Sequence, residues 1–290
     1  MSIGLGSSDQ GRDRELLIKF RGSLADHHKI PAYNAGKSIA GISRSLLIPS
    51  IYLEDGRVRH RNLSRTKAIQ LNMVAQRPGS FESVLEFLIK PEMMAAYLVS
   101  LGAALSADFV RDFTYSMIRR CIGKTASPEV EKYETNGVIS AGDTAAIVDA
   151  IEPAMREAHT VVGAGASSVV IVNGNGNKIV LNAGTKAYVN ASVDDDRITA
   201  KEFSIASFNA NTSNGRAFDY EAGHTVAFVL DDSVDGSSIN AVTESMRRYT
   251  HRRRLESEMA PRLYLNYSAT RAPDGRIKKI RIFSARMAEE

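Results

Sequence analysis

Residues 262–286 read RLYLNYSATRAPDGRIKKIRIFSAR, and they decide the reading of the C-terminal third. Ala272-Pro273-Asp274-Gly275 is a turn sequence, so Arg262–Thr270 and Arg276–Arg286 read as two strands joined by it. Upstream, Ser237–Glu256 reads as a helix. Before it lie three strands: Ile198–Phe208 with Phe203 and Ile205, Arg216–Tyr220 after the turn Asn214-Gly215, and Thr225–Leu230 after Glu221-Ala222-Gly223-His224. Strand-strand-strand-helix-strand-strand is the order of a five-stranded Greek-key barrel of the oligonucleotide/oligosaccharide-binding type. An SH3-like barrel serving protein contacts is the alternative.

Charge singles out the same end. From Arg247 to Arg286 there are twelve Lys and Arg against three Asp and Glu, a surplus of nine in a chain whose net charge is +4. Such a segment attracts phosphate backbones in a salt-sensitive way, although a solvated helix face beside a basic strand has the same composition. Single-strand-binding barrels combine such charge with aromatic platforms on which bases stack. The candidate nucleic-acid contacts are therefore Arg216, Tyr220, Arg252, Arg253, Arg254, Tyr264, Tyr267, Lys278 and Lys279, with Phe208 and Phe218 as further aromatics. Arg216, placed just after a Gly turn, leads the set.

The N-terminal part predicts an α+β arrangement. Leu16–Arg21 reads as a strand. Pro31 opens a helix running toward Tyr52, with Pro49 expected to kink or end it. Ile69, Leu71 and Met73 alternate with polar residues before Arg77-Pro78-Gly79-Ser80, and Phe81, Leu85, Phe87 and Ile89 continue after it, which predicts a hairpin. Met93–Ala107 is an uncharged apolar run of 15 residues, shorter than the roughly 20 a membrane crossing needs. A long apolar helix over 93–122 is expected, with Leu98, Leu101, Leu105 and Phe109 on one stripe for contact with the sheet, another copy of the chain, or a membrane.

In the middle, a helix starts near Asp143 as its cap and runs toward His159. Gly-x-Gly in Val161–Ser168 follows a helix and precedes a strand, the reverse of a dinucleotide fingerprint. Asn173–Asn177 between Val169–Val172 and Lys178–Leu181 predicts a second hairpin. Asp194-Asp195-Asp196 lacks the spaced ligands of a calcium loop and reads as a solvated turn. The expected domains are a disordered tail over 1–14, an α+β domain over 15–123, a connecting helix and hairpin over 124–196, and the basic barrel over 197–290.

Catalytic signatures are missing from the sequence. His27, His28, His60, His159, His224 and His251 form no i,i+4 pair and have no partner cysteines, so a zinc site is unsupported. Cys121, the single cysteine, lies beside Arg119 and Arg120 but has no identifiable base, and alone it forms no intramolecular disulfide. With no signal peptide at the N-terminus, the expectation is a cytoplasmic, non-enzymatic protein without a cofactor.

Arg21-Gly22-Ser23 with Ala25-Asp26-His27-His28, Ile30-Pro31-Ala32-Tyr33, Gly41–Leu46 and Ala75–Glu82 resemble segments of an uncharacterised family of two-domain bacterial and prophage-associated proteins. Ser207–Thr212 followed by Asn214-Gly215-Arg216 resembles the second domain of that family. The resemblance implies two domains and a mobile-element setting, and brings no activity with it. Together the readings predict a self-associating binding protein that contacts nucleic acid, with phage or mobile-element conflict as its setting. The alternatives are an oligomeric membrane-acting effector of antiviral defence and a structural assembly subunit with a protein partner.

Overall fold

A computed structural model describes residues 15–59, 62–63, 66–76, 82–90, 106–173, 176–255 and 261–288. The chain divides into two compact units, Met1–Ser140 with Ile147–Asn190, and Ala141–Ala146 with Ala191–Glu290. The described residues form a mixed α+β structure with six α-helices and two sheets.

The first unit is built on β1 (Glu15–Arg21), in which Leu16, Ile18 and Phe20 are buried and their neighbours are not. That period of two makes a strand with one core face. β1 pairs antiparallel with β3 (Glu82–Ile89) on one side and β4 (Ser168–Asn173) on the other. β2 (Ile69–Gln76) and β5 (Lys178–Asn182) complete the order β2-β3-β1-β4-β5. Both expected hairpins are present. The second, however, is not part of a connector: β4 lies beside β1 at the centre of the sheet, and residues 147–190 belong with the first unit.

Helices α1 (Ala32–Asp55), α2 (Ala107–Cys121), α3 (Pro128–Thr135) and, from Ile147 on, α4 (Ala141–Ala158) supply most of the remaining core. α1 continues through Pro49 to a left-handed Gly56 cap, so Pro49 does not end it. Gly41 sets the approach of α1 to α4, since a Cβ there would stand 2.4 Å from Ala154 O and Ala158 N. The Ser50 and Thr114 hydroxyls, 2.9 Å apart, join α1 to α2. Phe109, expected on a contact stripe, is 3% exposed and packs against Phe113 and Tyr133. It serves the core of its own unit and is not free for a second copy or a membrane. Leu98, Leu101 and Leu105 lie outside the described residues, as does the 1–14 tail. Among the described residues no helix is long and apolar enough to cross a membrane.

A short helix α5 (Ala183–Asn190) ends the first unit. The second unit is a closed five-stranded barrel of β6 (Val193–Asn209), β7 (Asn214–Asp219), β8 (His224–Leu230), β9 (Arg262–Arg271) and β10 (Ile277–Met287). β9 pairs antiparallel with both β6 and β10, and β10 runs parallel to β8. Helix α6 (Gly236–Leu255) falls between β8 and β9. It is pinned by two buried serines: Ser245 Oγ accepts from Ile205 N at 3.0 Å, and Ser238 Oγ from Ala285 N at 2.9 Å.

Two local readings change. β6 begins at Val193, so Asp194–Asp196 are strand residues and not a turn. Asp194 accepts the Thr270 hydroxyl, and Asp195 pairs with Arg271 and Arg197. Asn214-Gly215 is likewise not the turn but the start of β7, and the chain turns at residues 210–213. Gly215 is needed for space, because a Cβ there would meet the Phe228 ring at 2.4 Å.

Candidate nucleic-acid interface

The basic surplus of residues 247–286 is largely spent within its own unit. Residues 191–290 contain fifteen Lys and Arg and fifteen Asp and Glu, so the unit is balanced once its acidic strands are counted. Arg262 pairs with Glu202 at 2.9 Å, Arg276 with Asp274 at 3.2 Å, Arg281 with Asp231 at 3.3 Å and Arg271 with Asp195 at 3.5 Å. Arg247 and Arg248 share Glu244, and their hydrogen bonds pull its carboxyl down to about 2. Lys201 is held by the buried Asp219 and by Glu221. Burial would lower its pKa, but these partners outweigh it and the net shift is upward.

Two cations of the candidate set escape this pairing and come together. Ala217, Val226, Phe228, Ile280 and Ile282 point into the barrel core, so Arg216, Ala227 and Lys279 point outward. The register aligns Arg216 with Ala227 across β7–β8 and Ala227 with Lys279 across β8–β10. Two interstrand spacings separate the cations, roughly 10 Å between backbones, with the small Ala227 as the floor between them. Neither has a carboxylate partner among the described residues. In the flanking rows, Asn214, Val229 and Arg281 align on one side and Phe218 with Thr225 on the other.

The other candidates are placed differently. Tyr267 is 3% exposed and meets Phe203 edge-on at 5.5 Å, and burial pushes its phenol above the ordinary value. As a core residue it offers no stacking platform, because its position on β9 points inward. Tyr264, 38% exposed, faces outward with the Arg286 guanidinium 4.9 Å over its ring. Tyr220 carries Arg262 at 4.6 Å and touches Phe218 edge-on at 5.3 Å. Lys278 donates to the Ala191 carbonyl at 2.7 Å and serves as a local tie. Arg252 is exposed on the last turns of α6, and the side chains of Arg253 and Arg254 lie outside the described residues. Ala227 carried no mark in the sequence, because a small residue becomes a floor only when its strand neighbours are known.

Among the described residues no three His, Cys, Asp or Glu side chains group to hold a metal ion. Cys121 is buried and in no disulfide, and the neighbouring Arg120 is bound through two hydrogen bonds by Glu134.

Comparison with known families matches residues 16–190 to a domain of unknown function, DUF7946. The chain belongs to the DUF7946 family. A second match, to a family of unknown function, DUF7947, spans residues 197–286, which contain the whole of β7 to α6 and nearly all of the barrel. In this DUF7946 protein the two matches follow the two structural units, except that Ala141–Ala146 fall in the first match and the second unit. No curated protein and no solved structure matches the chain.

Proposed function

We propose that the second unit is an oligonucleotide-binding type barrel that holds single-stranded nucleic acid on the outer face of β7, β8 and β10. The strand order supports this type over an SH3-like one. The first strand of the barrel closes onto the fourth and the third runs parallel to the fifth, and the face of the second and third strands is where such barrels take ligands.

The observation that carries the reading is the row Arg216–Ala227–Lys279. Two cations without carboxylate partners among the described residues flank a small floor, and Phe218 stands one row along β7 to take a base. Cations and an aromatic ring suit a polyanion of stacked bases better than a neutral oligosaccharide. The first unit in this reading is a separate module of the same binding protein.

The test is fluorescence anisotropy of a mixed-sequence single-stranded oligonucleotide at low salt. The double variant Arg216→Glu/Lys279→Glu is expected to lose at least about tenfold in affinity, since each charged contact is worth about 1.5–3 kcal/mol. Equal affinity in the double variant, or no binding by the unaltered chain, refutes the reading.

A further inference from the structure

A groove lies wholly within the first unit. It is open, has a volume of 560 Å³ and runs beside α5, lined by Val162, Gly163, Ala183 and Ala187 with the polar Ser167 and Asn190, and Lys186 is the one charged lining residue among the described residues. That volume is in the range of small-molecule sites. Gly163 adopts φ +82°, and among the described residues no side chain fills the space beside its bare Cα.

Lys186 is held in place, since its Nζ donates to the Val162 carbonyl at 2.6 Å. An ammonium has three N–H donors, so two remain. No carboxylate pairs with it among the described residues, although it is half-buried, and a shielded charge without a counter-charge is costly. Burial lowers the pKa of the nearby His159, which favours its neutral form. We propose that this groove binds a small monocarboxylate with an apolar tail, the carboxylate on Lys186 and the tail along Val162, Ala183 and Ala187. A single positive charge beside the apolar Val162, Ala183 and Ala187 matches a monoanion better than a phosphate, whose second charge would be left uncompensated.

The experiment is an NMR titration of the full chain with sodium hexanoate at constant ionic strength, with hexan-1-ol and inorganic phosphate as comparison probes. Saturable shifts confined to residues 160–190 are expected with hexanoate, with binding weaker by about tenfold or more for hexanol, for phosphate and for Lys186→Met. Lys186→Arg is expected to retain binding. Absence of saturable hexanoate binding, equal binding of hexanol or phosphate, or undiminished binding by Lys186→Met overturns the proposal. The comparison of hexanoate with hexanol uses the unaltered chain, so it decides the matter even where Lys186→Met does not fold.

Discussion

Tyr264 and Tyr267 stand three residues apart on one strand, and the odd spacing sends them to opposite faces. Tyr267 fills the barrel against Phe203, whereas Tyr264 lies outside beneath Arg286. Tyr267→Ala is therefore expected to destabilise the protein by about 3–5 kcal/mol, the cost of truncating a buried aromatic residue. Tyr264→Ala should cost less than about 1 kcal/mol, the scale of an exposed cation–π contact. Urea unfolding measures both, and equal losses would contradict the assigned faces. Both tyrosines have the same sequence neighbourhood of alternating apolar and polar residues. Only the register of β9 against β6 and β10 separates a core ring from a surface ring.

At the scale of elements, the junction of α4 and α5 contains a built-in response to pH. His159 Nδ1 lies 2.7 Å from the Met155 carbonyl, which only accepts, so the proton sits on Nδ1. Nε2 then accepts the Thr185 hydroxyl at 2.8 Å. Burial lowers the His159 pKa and the Lys186 ammonium adds to the shift, while the Met155 hydrogen bond opposes it. As pH falls through the ordinary value of about 6.5, the unfolded chain takes up a proton that the folded chain refuses. Stability present above that pH is lost below it, at no more than about 1.4 kcal/mol per pH unit, until the folded value is reached. The thermal midpoint is expected to fall further between pH 7.5 and pH 5 in the unaltered protein than in His159→Gln. Equal falls would exclude His159 as the source. Helices α1, α4 and α6 and both hairpins were legible because each is a local pattern, whereas the short helices α3 and α5 were not. The joining of β4 to β1 was not, because a run of Val and Ile pairs equally well with any apolar partner, and the choice is made by the register of the whole sheet.

For the whole molecule, the distribution of charge makes a quantitative prediction. A basic segment offset by acidic strands in the same unit should bind nucleic acid through few phosphates. Two contacts, from Arg216 and Lys279, correspond to a slope of log affinity against log salt of about −1.4 for a single strand. Participation of the three arginines at the end of α6 would steepen it by about 2, so a salt series tells the barrel face from the helix end. The sequence by itself determined the element order of the second unit, the core-forming strands and the concentration of basic residues near the C-terminus, because periodicity, turn chemistry and composition are properties of neighbouring residues. Only the tertiary structure decided that the 168–182 hairpin joins the first sheet, that most arginines are already paired, and that Arg216 and Lys279 share a row across Ala227. Those outcomes depend on strand register and on ion pairs between residues far apart in the chain, where electrostatic and packing energies depend on distance in space and no local pattern encodes it.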